Sequence, residues 1–264
     1  MKISFVGAGK MAEGIISAMD EATLGNVAIL ERDEARAAYV AGKYGVKKVA
    51  SMAEAMAAGE LVFLCVRPQD LESVAAELKG MDLSGKAIAS IVAGKTIAKL
   101  QSVFGESAEI IRIMPNLALR AKAGMCAMCP SGNVKERFVE RVREILSGAG
   151  KVLQLAEKHF DAVTALSGSG PAYFAYMLEA MILGGCELGL SREDAEVLAT
   201  QTMYGTGKFL SENKVELSSF IDGVCTKGGT TAAGMQSMAG GEFRQIVAAT
   251  LQGAARRSQE LSRE

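Results

Sequence analysis

The sequence predicts an α/β protein: a parallel sheet interleaved with helices in the first half, then an all-helical second half. Three observations carry this. Short continuous apolar runs alternate with helix-like segments through the first half. The first run ends in a glycine turn that opens directly into a helix. Beyond about residue 155 the alternation stops and only helical patterns follow.

The strand-like runs are KISFVG (2–7), NVAIL (26–30), LVFLCV (61–66), KAIASIV (86–92) and EIIRIM (109–114). Continuous rather than alternating apolar runs suit strands covered on both faces, as in parallel sheets. Helix-like segments at 10–20, 34–43, 70–79 and 96–104 separate them. GMCAMCP (124–130) reads as a short strand beside a turn. Helices are then expected at 158–166, 171–189, 192–212 and 242–262, with a break at GSGP. Ser191 suits an N-cap and Asp194 an acidic first turn. The shift in period divides the chain into domains 1–157 and 158–264. Segment 171–185 is apolar almost all round, so it must be buried on more than one side. A small helical domain has few places to hide it, so homodimerisation through this domain is expected, with Leu178 among the buried positions.

The 264 residues are enough for one large or two modest domains. An apolar fraction of 49% and a formal net charge of −1 exclude a disordered chain and a strongly nucleic-acid-binding one. The N-terminus lacks a signal-peptide pattern, and the longest apolar run, 172–185, is too short to span a bilayer. A cytoplasmic protein with no membrane partner is expected. Cys126 and Cys129 form a CxxC, but no second half of a zinc site accompanies it, so no metal is expected. They read as buried free thiols, with a redox pair as the alternative. His159, the one histidine, lies on a polar segment and reads as solvated.

The run VGAGKMA (6–12) gives Gly7-x-Gly9-x-x-Ala12 after a strand and before a helix. This is the dinucleotide fingerprint of a Rossmann domain in its required context. Gly7 permits the tight turn, Gly9 the approach of the pyrophosphate, and Ala12 close helix packing. Val6, Gly7, Ala8, Gly9, Lys10 and Met11 are therefore cofactor-binding candidates. The second strand ends in Glu31 and Arg32. An acidic residue there bonds the ribose 2′-hydroxyl of NAD, and a basic one binds the 2′-phosphate of NADP. Both are present, and this pair does not settle the choice. Two further strand ends, at Val66, Arg67 and Pro68 and at Ala93 and Gly94, lie where α/β sheets bind ligands.

GAGKMA, CVRPQ, SIVAGKT, RIMPN, ALSGSGPAYF and TKGGTTAAG follow one another in the order seen in pyrroline-5-carboxylate reductases, which the chain resembles from residue 3 to about 261. The resemblance implies a Rossmann domain and a helical dimerisation domain, in dimers or larger assemblies such as decamers. It implies reduction of 1-pyrroline-5-carboxylate to L-proline with NADPH, NADH being an accepted alternative. It adds Asn116 to the cofactor residues and places Glu157 near the substrate. It assigns the substrate carboxylate to the loop of Thr226, Gly228, Gly229, Thr230 and Thr231, with Thr231 catalytic through a hydrogen bond to the ring nitrogen. Physically, amides freed by the glycine pair can form an anion nest, and a helix start adds its positive end. The structural alternative is a threonine helix cap. The chain departs from the family in Leu117-Ala118-Leu119 where PNTPA is common, and in Thr226-Lys227 where the family often has Ser-Pro. A β-hydroxyacid dehydrogenase would need lysine and asparagine where this chain has Phe174 and Leu178. The alternatives are a related NAD(P)-dependent reductase acting on another cyclic imine and, from another class, a non-catalytic NADPH-binding regulator.

Overall fold

The computed structural model describes residues 1–263. Eight strands form one sheet: β1 (Ile3–Val6), β2 (Val27–Leu30), β3 (Lys47–Lys48), β4 (Leu61–Leu64), β5 (Ala87–Ser90), β6 (Glu109–Pro115), β7 (Gly124–Pro130) and β8 (Gly150–Gln154). Their order is β3-β2-β1-β4-β5-β6-β7-β8. The first six strands are parallel, β7 runs antiparallel to β6, and β8 parallel to β7. The order reverses between β1 and β4, and Val6 at the end of β1 lies level with Leu30 and Leu64. Ligands of open α/β sheets bind at such a point.

Side chains alternate between the two faces of each strand, so a continuous apolar run feeds two cores. Ile3, Phe5, Phe63, Ala89 and Ile111 pack on one face with Ile15, Ile16 and Val142. Val6, Val62, Leu64, Ile88 and Ile110 pack on the other with Met52, Leu71, Val74 and Leu100. Phe5 and Phe63 stack with centroids 4.7 Å apart. The five long apolar runs are all strands. β3 and β8 were not foreseen, one being two residues long and the other carrying a mixed, half-exposed pattern.

Cys126 and Cys129 are three residues apart on β7, so their side chains point to opposite faces. This geometry rules out the intramolecular redox pair. Burial pushes the Cys126 thiol up to about 11.

The chain forms two compact units, one of Met1–Ser169 with the stretch from Ala254 onward, the other of Gly170–Gly253. This division differs from the expected 157/158. The reason is visible at Phe160, which is fully buried in the first unit with the Arg112 guanidinium 4.7 Å from its ring centroid. The change of period marks the end of the strands, not the end of what packs on the sheet. Ser258 belongs here too, its hydroxyl donating to Asp161 at 2.7 Å. The expected break at GSGP falls at Ser169, between a π-helical turn, Thr164–Gly168, and the helix that starts at Gly170.

The second unit holds the helices Gly170–Glu187, Arg192–Glu212, Leu217–Val224 and Thr230–Gly240. Ser191 caps the second of these by accepting from the Asp194 amide at 3.1 Å. The unit's own core is Ile182, Ala195 and Ala199, with Leu178 and Cys186 against it. So small a core does not offset the chain entropy of the unit. Leu178 therefore serves the unit's own core, while Tyr176 (76% exposed) and Leu188 (89%) stand open. No helix among the described residues is long and apolar enough to cross a membrane, and no metal-ligand cluster occurs among them.

Candidate active site

In the first unit a cleft of about 400 Å³ opens at the ends of β1, β2 and β4. Gly7 has φ +92°, and a Cβ there would lie 2.5 Å from the Cys65 carbonyl oxygen, so only glycine makes this turn. A Cβ on Gly9 would meet nothing in the protein. The space above Gly9 is therefore open for a ligand, at the start of the helix Lys10–Ile16. That is the fit required of a pyrophosphate on a helix N-terminus.

The peptide at Ala8 is held from both sides. Its N–H donates to Glu31 Oε2 at 2.8 Å, and its carbonyl accepts from Arg36 Nε at 2.8 Å. Arg36 in turn pairs with Glu13 at 2.6 Å. Glu13 is only 8% exposed and also accepts from Lys43 and Tyr44. Burial alone would raise its pKa, but the hydrogen bonds from Arg36, Lys43 and Tyr44 outweigh burial and bring it down to about 2. Sequence reasoning missed Glu13 and Arg36. The available signal was a carboxylate inside the otherwise apolar fingerprint helix. Glu31, besides its bond to Ala8, accepts from the Asp33 amide at 3.1 Å. Arg32 and Arg67 both pair with Asp70, at 2.9 and 3.0 Å.

Of the expected cofactor residues, the structure brings Val6, Gly7, Gly9, Glu31, Arg32, Val66 and Arg67 together around the cleft. Ala8 is buried behind them, and Lys10, Met11 and Pro68 are not part of its wall. Ala93, Gly94 and Asn116 lie outside it. Gly94, at φ +72°, is packed beside Leu261. Asn116 Oδ1 accepts from the Met125 amide at 3.1 Å and ties the connection between β6 and β7.

Glu157 Oε1 accepts from Arg112 Nη1 at 2.9 Å and from the Ile97 amide at 2.7 Å. Arg112 is 6% exposed and needs a counter-charge, since an unpaired buried charge is costly. Glu157, expected near the substrate, is held by this ion pair with its side chain 31% exposed. His159 is exposed.

In the second unit the Thr226–Gly229 turn is closed by the Gly229 amide donating to the Thr226 carbonyl at 2.9 Å. Gly228, at φ +74°, occupies the position of this turn that requires a left-handed residue. A Cβ on Gly229 would collide with Thr226 Oγ1, so the second glycine is required for a different reason. Gly229 is also the N-cap of the helix Thr230–Gly240, and no side chain caps that end. The threonines thus do not act as caps, and the first-turn amides remain available. No hydrogen bond among the described residues engages the hydroxyls of Thr226, Thr230 or Thr231. Thr231 is half-buried and the other two are exposed.

Residues 157–261 match the family model for pyrroline-5-carboxylate reductase dimerisation, and residues 2–94 match a model described as NADP oxidoreductase coenzyme F420-dependent. A pyrroline-5-carboxylate reductase of Synechocystis is 36% identical, the match covering 100% of this chain and 99% of that protein. The chain belongs to the pyrroline-5-carboxylate reductase family. A solved pyrroline-5-carboxylate reductase from Coxiella burnetii is similar with a TM-score of 0.93 and 27% identity, covering 99% of this chain and 98% of the other. One from Plasmodium falciparum with NADP bound has a TM-score of 0.85 and 27% identity, covering 99% and 98%. The family's dimerisation region accounts for the uncovered apolar helices, since homo-oligomerisation hides them.

Proposed function

We propose that this chain reduces 1-pyrroline-5-carboxylate to L-proline with NADPH, the last step of proline biosynthesis, and accepts NADH as a second coenzyme. The observation that carries this reading is the Thr226–Thr231 loop: a glycine-shaped turn, an uncapped helix start and three hydroxyls that no hydrogen bond among the described residues engages. Such a loop suits a small anion bearing a further hydrogen-bonding atom.

Bound NADPH supplies the hydride to the imine carbon. Gly7 and Gly9 with the helix start at Lys10 hold the pyrophosphate, and Arg32 and Arg67 hold the 2′-phosphate. Amides at the start of the helix Thr230–Gly240, with the hydroxyls of Thr226 and Thr230, hold the substrate carboxylate. Thr231 hydrogen-bonds the ring nitrogen. A cyclic imine is basic enough to be protonated near neutral pH, so the protein needs no strong acid. Its contribution is positioning and exclusion of water. Glu157 supports the site through Arg112 and the helix start at Ile97. Assembly proceeds through the helical region to a homodimer or a higher homo-oligomer such as a decamer, and the enzyme works in the cytoplasm.

The test is NADPH oxidation, followed by absorbance, with 1-pyrroline-5-carboxylate, and identification of L-proline in the product. The reading predicts imine-dependent oxidation with proline formed in equal amount. Binding of NADPH without turnover would instead support the non-catalytic regulator.

A further inference from the structure

The walls of the dinucleotide cleft carry two cations, Arg32 and Arg67, and three anions, Glu31, Asp70 and Glu77. A site for a ribose 2′-phosphate would ordinarily be positive, so the surplus of carboxylates calls for an explanation. Glu31 is bound to the amides of Ala8 and Asp33 and serves the fingerprint loop. Asp70 is different. Its side chain is only 16% exposed, and each of its oxygens takes one arginine, Oδ1 from Arg32 and Oδ2 from Arg67. Arg32 follows β2 and Arg67 follows β4, so Asp70 ties together the two strand ends that flank β1.

We infer that Asp70 sets the coenzyme selectivity of this enzyme, aligning Arg32 and Arg67 on the cleft while its charge limits how strongly they favour a 2′-phosphate. The inference rests on the NADPH reading above. Each guanidinium has five N–H donors, and Asp70 engages one nitrogen of each, so both arginines keep donors free for a second anion. Arg32 and Arg67 hold the Asp70 carboxyl below its ordinary value, so it is ionised whenever the coenzyme binds at neutral pH. A carboxylate sharing its arginines with a phosphate of charge near −2 repels that phosphate. It has little effect on the uncharged 2′-hydroxyl of NADH. The charge effect exceeds the ordering effect, because exposed ion pairs contribute little to fixing side chains, whereas a full charge a few ångströms from a dianion changes affinity severalfold.

The experiment measures Kd for NADPH and NADH by calorimetry, without substrate, in the wild type and in Asp70→Asn. Asparagine keeps the shape and one acceptor but removes the charge. NADPH should bind about five- to tenfold more tightly to the variant at moderate salt, while NADH stays within about twofold, and the gain should shrink at high salt. A ratio of the two affinities that stays the same or moves toward NADH would overturn the inference. Arg67→Gln should weaken NADPH and leave NADH unchanged; equal weakening of both would also count against it. Failure of the underlying reading is distinct: the wild type would then bind neither coenzyme, or bind NADPH with no contribution from either arginine.

Discussion

Thr231→Ala separates a chemical role for the glycine-threonine loop from a structural one. The helix Thr230–Gly240 begins at Gly229, and no side chain caps it. Among the described residues no hydrogen bond engages the Thr231 hydroxyl, so its removal orphans no donor or acceptor there. Alanine is the better helix former by up to about 0.7 kcal/mol, which offsets the methyl lost from a half-buried position. The melting temperature should therefore stay within a few degrees of the wild type. NADPH affinity, set in the other unit, should be unchanged. What is lost is one hydrogen bond to the ring nitrogen, about 1–3 kcal/mol, or roughly five- to 150-fold in kcat/KM. The loss should fall on kcat if the bond strengthens as imine becomes amine, and on KM alone if it is equal in both states. Thr231→Ser restores the hydroxyl and should recover most activity. The assay is NADPH oxidation at varied imine, with calorimetric Kd for NADPH alongside. Wild-type turnover in Thr231→Ala, or an unfolded variant, would refute the reasoning.

Three further expectations follow from the packing and the charges. Gly9→Ala should melt like the wild type yet bind NADPH about tenfold or more weakly, because its Cβ meets only the ligand's space, whereas Gly7→Ala, at φ +92° and against the Cys65 carbonyl, should lose about 1–3 kcal/mol of stability in denaturant titration. Tyr176→Glu should give monomers or insoluble protein in sedimentation: the residue is 76% exposed in the isolated chain, and burying its side chain contributes about 1.5–3 kcal/mol per protomer; a stable Tyr176→Glu oligomer identical to the wild type would place the interface elsewhere. Glu13, brought from 4.5 to about 2, binds its proton less readily in the folded state, so it contributes stability that is complete above pH 4.5 and is lost as pH falls toward 2. That contribution is roughly 3 kcal/mol, and Glu13→Gln should be less stable than the wild type at neutral pH, with the gap closing as acid is added.

What could be read from the chain depended on how each feature is encoded. The strands β1, β4 and β5 are buried on both faces, so their runs are continuously apolar and visible. β8, at the sheet edge, has the mixed run GKVLQ and gives no such signal. Gly7 and Gly9 were legible because backbone shape demands glycine at one and ligand access at the other. The Glu13–Arg36 and Asp70–Arg32–Arg67 pairings join residues from separate elements, and nothing periodic announces a tertiary ion pair. Glu157 shows the converse: its position was noticed, but its partner Arg112 lies 45 residues away and could only be seen in three dimensions. The compact unit runs past the expected edge at 157/158 for a related reason. Periodicity tells helix from strand, but not which compact unit a helix such as Phe160–Val163 belongs to.

The central claim is hydride transfer to a cyclic imine carbon, and one isotope measurement addresses it directly. The protein is supplied with NADPH carrying deuterium on the transferable position of C4 and with unlabelled 1-pyrroline-5-carboxylate, and the amino acid formed is analysed by mass spectrometry. The account predicts L-proline with a single deuterium, at the ring carbon that was the imine. Proline without deuterium, or oxidation of the coenzyme with no proline formed, would contradict it.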